Sequence, residues 1–239
     1  IIWNILVSIV ATIIFLRLVL SLLPGYSIKL CFDKKIFRQF LRFGGFKFIL
    51  NVSGQVVFQL DRLLISIFQP ISAVSFYTIP TMLVQKLFNL TSNVTGAVFP
   101  ALSGSYATGD SQRVKYLYLR MTKFIVFLMF PLMLMLFIFS DSILQLWLDK
   151  NFASHSAIVL KTLAAAYFIA ALSAPGVIAS DAAGRPQLPA IFSVVSAIIN
   201  LTSALILIPR LGIEGAALAM LINFISQVPV FLIIVNKQI

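Results

Sequence analysis

The chain has 239 residues, of which 60% are apolar and only 10% charged, with a mean hydropathy of +1.04 and a formal net charge of +11. Soluble domains average about 45–50% apolar and about 25% charged residues, and need polar side chains to cover their surface, so a water-soluble fold is excluded. The basic residues are spread over short loops instead of forming one exposed stripe, which excludes a nucleic-acid surface.

The apolar runs approach or exceed the roughly 20 residues that a helix needs to cross about 30 Å of hydrocarbon. A transmembrane barrel would instead show alternating segments of about ten residues, and none is visible. The class is therefore all-α integral membrane. Cys31 is the single cysteine, so neither an intrachain disulfide nor a Cys-based metal cage is available. His155, the lone histidine, stands beside Ser154 and Ser156 with no acidic cluster around it. No metal site and no cofactor are expected.

The first predicted span runs from about Ile1 to Leu23 and stops at the turn signal Pro24-Gly25. It lacks an initiator Met and begins inside an apolar stretch, as part of a longer protein would. Residues 24–42 form a basic linker in which Lys35, Arg38 and Arg42 interleave with Phe37 and Phe40, as in an amphipathic segment lying in the interface. The second span covers about Phe43 to Phe68 and turns at Gln69-Pro70. The third covers about Ala73 to Pro100, followed by a polar loop from Ser103 to Arg120. The fourth, about Met121 to Leu146, leads into a short loop, Trp147 to Ser156. The fifth, about Ala157 to Ser180, ends at Asp181. The sixth and seventh, about Leu188–Ile208 and Ile213–Val235, are separated by a turn containing Pro209 and Gly212.

Alternate loops differ in charge. Lys29, Lys34, Lys35, Arg38, Arg42, Lys47, Arg113, Lys115, Arg120, Lys123, Arg185 and Lys237 fall on one side, against Lys150, Lys161 and Arg210 on the other. By the positive-inside rule the first group is cytoplasmic, and so is the C-terminus.

Four charges fall inside spans: Arg17, Asp61, Arg62 and Lys86. Each costs about 2.5–3.5 kcal/mol or more on the insertion scale, which marks such groups as functional candidates. Arg17 is near its span's end and can snorkel. On span two, Asn51, Gln55, Gln59, Arg62 and Ser66 step by fours and threes and so share one helical face. Asp61 points elsewhere, toward Arg62 only loosely or toward a cation on a neighbouring helix. Span three carries Gln85, Asn89, Ser92, Asn93 and Gly96, flanked by Lys86. One reading is interhelical hydrogen-bond glue. The other is a water-filled, net-positive cavity that suits an anionic group such as a lipid phosphate. Hydrolytic or transferase chemistry has no support: there is no Ser/His/Asp set, no pair of acids on a loop and no phosphate-binding glycine loop.

Asp61-Arg62-Leu63-Leu64-Ile65-Ser66-Ile67-Phe68, followed by Ala73-Val74-Ser75-Phe76-Tyr77, resembles the seventh helix and next turn of polysaccharide flippases, within the multidrug/oligosaccharidyl-lipid/polysaccharide exporter superfamily. Phe99-Pro100-Ala101-Leu102-Ser103 and Ile143-Leu144-Gln145-Leu146-Trp147-Leu148 resemble the following elements. Gly184-Arg185-Pro186, Asn200-Leu201, Leu207-Ile208-Pro209 and Leu211-Gly212-Ile213-Glu214-Gly215-Ala216-Ala217-Leu218-Ala219 resemble helices eleven and twelve.

The resemblance implies one six-helix lobe, residues 43–239, of a two-lobe alternating-access transporter, plus the last helix of the first lobe, residues 1–23. It implies a bacterial inner-membrane protein that flips an undecaprenyl-diphosphate-linked oligosaccharide, an O-antigen, capsule or exopolysaccharide unit. Membrane lipids surround it, and a polysaccharide polymerase and glycosyltransferases would be its neighbours. On cavity logic Arg62 and Lys86 are assigned to phosphate, Asn51, Gln55, Gln59, Asn89 and Asn93 to sugar hydroxyls, and Asp61 to ion coupling. The alternative is a cation-coupled multidrug exporter of the same superfamily.

Overall fold

The structure, a computed structural model, describes residues 2–22 and 33–237. The turn at Pro24-Gly25, Lys29 and Cys31 lie outside the described residues. Among the described residues all regular structure is helical. The chain divides into two compact units, Ile1–Phe40 and Leu41–Ile239.

The first unit holds α1 (Ile2–Leu22) and the opening turns of α2 (Lys34–Phe68). Trp3, Leu6, Val10, Ile13 and Phe15 of α1 are all exposed, as expected of a helix that is apolar all round and made for lipid. The amphipathic stretch is helical from Lys34, where the Ile36 N–H donates to Asp33 Oδ1 at 3.3 Å, and it runs into α2 without a break.

The second unit continues through α3 (Ile71–Phe88), α4 (Leu90–Thr108), α5 (Ser111–Ile138), α6 (Ser140–Trp147), α7 (Lys150–Ala171), α8 (Ala174–Ala182) and α9 (Gln187–Asn236). Among the described residues four stretches are long and apolar enough to span a membrane: Ile36–Phe68, Ser111–Ile138, Lys150–Ala182 and Gln187–Asn236. This is a multi-pass membrane protein.

The hub is α7, packed against α3, α5, α6 and α9. Alanines at 153, 157, 164, 166, 170 and 171 are buried, and such small side chains let neighbouring backbones come close where lipid offers no hydrophobic drive to association. Across from it α5 buries Met121, Ile125, Met129, Met133 and Leu136, a stripe at helical spacing.

The expected loop from Ser103 to Arg120 is nearly all helix. Gly109, at φ +72°, caps α4, and the Asp110 side chain accepts the Arg113 N–H at 2.9 Å to start α5. A left-handed glycine followed by an aspartate N-cap needs only two residues for the turn. Likewise Asp149 caps α7 by accepting the Phe152 N–H at 2.7 Å, which shrinks the second expected loop. The third span is two segments meeting at Asn89, and the fourth breaks at Phe139 before α6.

Within α9, Gly212 has φ +60° and ψ −135°, which divides it into two arms. They lie back to back, since the Asn223 amide donates to Ser196 Oγ at 2.8 Å. A side chain at Gly215 would put its Cβ 2.3 Å from the Leu207 carbonyl oxygen, so the turn between the arms requires glycine twice.

Two core clusters order the ends of this lobe. The smaller joins Leu102 of α4, Val114 and Tyr118 of α5, Ala179 of α8, and Phe231 and Val235 of α9. The end of α4, the starts of α5 and α9 and the end of α9 therefore share one end of the lobe. Elsewhere the start of α3 meets the start of α7: the Phe76 ring lies 5.0 Å from that of Phe152 and 4.9 Å from that of His155.

Candidate transport face and its anchors

The helix α2 has two faces with different work. Ser53, Val57, Asp61 and Leu64, spaced by four, four and three, are buried against the lobe. Asn51, Gln55, Gln59 and Ser66 are exposed on the other side, with Arg62 half-buried among them. The same helical period that groups the polar residues separates them from Asp61.

On the exposed side runs a shallow groove of about 380 Å³ whose surface is almost wholly apolar, formed by Phe48, Val52, Val56, Leu60 and Leu63 together with Asn51, Gln55 and Gln59. Arg62 Nη1 donates to Gln59 Oε1 at 3.4 Å, and Gln59 Nε2 to Gln55 Oε1 at 3.5 Å. Both are longer than the usual 2.7–3.2 Å and hold their donors weakly. Arg62 Nε is buried with no hydrogen-bond partner among the described residues. A guanidinium carries five donors arranged for carboxylate or phosphate, and this one has most of them to offer.

Asp61 is fully buried and turned into the lobe. Its Oδ2 accepts from the Tyr77 hydroxyl at 2.7 Å and its Oδ1 from the Asn200 amide at 3.2 Å. The same amide nitrogen is 3.2 Å from the Val57 carbonyl. The cationic partner expected from the sequence is replaced by two neutral donors, on α3 and α9. Three helices are tied by one carboxylate, leaving Asn200 Oδ1 without a partner among the described residues.

On α3 and α4 the stripe divides. Gln85 turns inward and donates to the Tyr167 hydroxyl at 2.9 Å, where Tyr167 is buried among Phe58, Phe88 and Phe224. Lys86, Asn89, Ser92, Asn93 and Gly96 are exposed. Among the described residues no hydrogen bond joins Lys86, Asn89 or Asn93 to α2. The structure thus links Gln55, Gln59 and Arg62, leaves the second set separate, and gives Gln85 to internal packing.

One pair escaped sequence reasoning. Lys47 Nζ donates to Asp181 Oδ2, joining the first half of α2 to the last turn of α8. Asp181 closes the fifth span and Lys47 opens the second, so both lie at one end of an up-and-down bundle. That shared end was the available signal. No cluster of His, Cys, Asp or Glu fit for a metal occurs among the described residues.

A family model described as polysaccharide biosynthesis protein matches residues 1–157. The chain belongs to that family. Among its relatives, one from Shigella flexneri named "Putative O-antigen transporter" is 24% identical over 223 residues, 90% of this chain and 53% of the relative. An uncharacterized membrane protein of Methanocaldococcus jannaschii is 22% identical over 199 residues, 82% of this chain and 39% of the relative. The chain spans about half or less of the length of these relatives. A solved multidrug resistance MATE family transporter of the MOP superfamily, in an outward-facing conformation, shares the fold with a TM-score of 0.70 at 16% identity, over 81% of this chain and 43% of that one.

Proposed function

We propose that this chain forms one lobe of a flippase that moves a lipid-linked oligosaccharide across the bacterial inner membrane, with its C-terminus in the cytoplasm. The observation that carries the reading is Arg62: a guanidinium at membrane depth, on the exposed side of α2, with weak internal bonds and an unpartnered buried Nε. Asp61, beside it in sequence, is turned into the lobe, so it leaves the exposed side positive. With Lys86 exposed on α3, two cations are available for a phosphate or diphosphate, while Asn51, Gln55, Gln59, Asn89 and Asn93 offer amides to sugar hydroxyls. The relative named for O-antigen transport supports an O-antigen, capsule or exopolysaccharide unit as the cargo. A polymerase and glycosyltransferases would then act on either side of the transport step.

The rival is a cation-coupled multidrug exporter, which has the same fold. Asp61 favours it only as a buried acid able to serve a proton or a cation; drug sensitivity separates the two. In cells carrying the native protein, Arg62→Ala is expected to lower surface polysaccharide about ten- to hundredfold at unchanged membrane abundance, the effect of losing a charge-assisted hydrogen bond worth about 1.5–3 kcal/mol. Arg62→Lys should recover part of it. Unchanged polysaccharide in both Arg62→Ala and Lys86→Ala would remove the phosphate role, and altered drug sensitivity in Asp61→Asn would move the reading to the exporter.

A further inference from the structure

The helix α5 carries two stripes on opposite sides. Val114, Tyr118, Met121, Ile125 and Met129 are buried against the lobe. On the far side Arg113, Tyr116, Arg120 and Lys123 step by three, four and three, and all are exposed. The same line continues through Phe127, Phe130 and Leu134 at steps of four, three and four, with Phe127 77% exposed and Phe130 51%. One side of the helix thus changes from cationic to apolar along its length.

The change falls at a definite depth. The span ends against the polar run Ser140-Asp141-Ser142, so Ile138 lies near one edge of the hydrocarbon. About 20 residues cover that layer, which puts the other edge near Leu119. Arg120 and Lys123 are then rooted just inside this edge and Tyr116 and Arg113 just outside it, while Phe127 to Leu134 face acyl chains. Helical side chains lean toward the N-terminus, which here is outward. Arg120 does so: Nη1 donates to the Tyr116 hydroxyl at 2.9 Å, and its guanidinium carbon stands 5.8 Å from the centre of that ring. The bond orients the guanidinium at headgroup level and leaves Nε, Nη2 and the Tyr116 hydroxyl proton to donate elsewhere. Among the described residues Arg113, Arg120 and Lys123 have no ion-pair partner, and Asp110, the acid at the head of α5, is used as its cap.

We propose that this line binds an anionic phospholipid. The phosphate takes donors from Arg120, Lys123 and Tyr116, Arg113 faces the outer part of the headgroup, and an acyl chain lies along Phe127, Phe130 and Leu134. Membrane orientation asks only for basic residues near the helix end, on any side of it. Lys115 meets that need away from the line. Three cations and a phenol in register above an apolar track fit a ligand that has both a charged head and a chain. A zwitterionic lipid offers the same phosphate but adds a quaternary ammonium, which three cations without a carboxylate repel. The site is on α5 and rests on no reading of the cargo.

The test titrates the detergent-purified full chain with phosphatidylglycerol or with phosphatidylcholine of the same acyl chains, and native mass spectrometry counts the bound lipid. The parent should prefer phosphatidylglycerol. Arg120→Gln with Lys123→Gln should weaken that lipid about twentyfold, near fivefold for each charge, and leave phosphatidylcholine unchanged. Tyr116→Phe keeps the ring and the fold and should weaken it about threefold, the effect of one hydroxyl donor. Lys115→Gln, off the line, should bind as the parent does. Equal binding of the two lipids by the parent overturns the site, as does an equal loss in Lys115→Gln, which would reduce it to general attraction. Glycerophosphoglycerol, the same headgroup without chains, should fail to compete at equal concentration; competition would make this a bare anion site instead. A dimer in the parent spectra that falls apart in the Arg120/Lys123 variant, with lipid binding kept, would give the face to a second copy and also overturn the proposal.

Discussion

Asp61 and Arg62 are neighbours in sequence, yet one fastens the lobe and the other offers itself outward. The helix makes that division, because consecutive residues point about 100° apart. Tyr77→Phe removes one of the two donors to a buried carboxylate and should destabilise the detergent-purified protein by about 1–3 kcal/mol, read as a drop in unfolding midpoint. Asp61→Asn keeps an acceptor for Tyr77 and should reach the membrane at normal levels; loss of transport with the midpoint preserved would then assign Asp61 to coupling instead of to the scaffold. The face bearing Asn51, Gln55, Gln59 and Arg62 was legible from one helical period, since its members lie within a few turns of each other. Asp61's partners were not, because Tyr77 is 16 residues away and Asn200 is 139, and no local pattern pairs residues on separate helices. The same holds for Lys47 and Asp181, 134 residues apart.

Among the elements, apolar runs located the four long membrane-capable stretches, because hydrocarbon admits only long apolar segments, whereas the first and third expected spans are not among them in the described residues. Their ends were less legible. Polar residues in the last turns of α4 and the first turns of α5 lower the local hydropathy well before the helix stops, so Ser103 to Arg120 read as loop although it contains a two-residue turn. Capping chemistry, in Gly109 and Asp110, is the signal that marks the true boundary. The turn between the arms of α9 was legible through Pro209 and Gly212, but the demand on Gly215 was not, since it comes from the backbone of Leu207 folding back on it. Gly215→Ala forces a methyl into a carbonyl oxygen and should cost about 1–3 kcal/mol. Gly96→Ala, at an exposed glycine with open space, should leave the unfolding midpoint where it is. An unfolding midpoint as unchanged in Gly215→Ala as in Gly96→Ala would mean that the turn tolerates side chains after all.

For the whole molecule, the ends of the helices and the distribution of charge are independent observations that can be set against each other. The smaller core cluster puts the α4–α5 turn, the start of α9 and its final turn at one end of the lobe. Arg113, Lys115, Arg120 and Lys123 sit around the first of these, Arg185 at the second and Lys237 at the third. Packing thus collects at one end several of the basic residues that alternate loops had assigned to one side, Arg113, Lys115, Arg185 and Lys237 among them, while Lys150 lies at the start of α7, away from them. Basic residues near helix ends resist translocation, so this end should be cytoplasmic. A reporter that matures only in the cytoplasm, fused after Ile239, should be active, and the same reporter inserted between Leu148 and Asp149 should be silent. A cysteine at Gly109, in a background otherwise free of cysteine, should resist an impermeant reagent in intact cells and react in inverted vesicles. If the fusion were silent and Gly109→Cys reacted from outside, the lobe would be inverted.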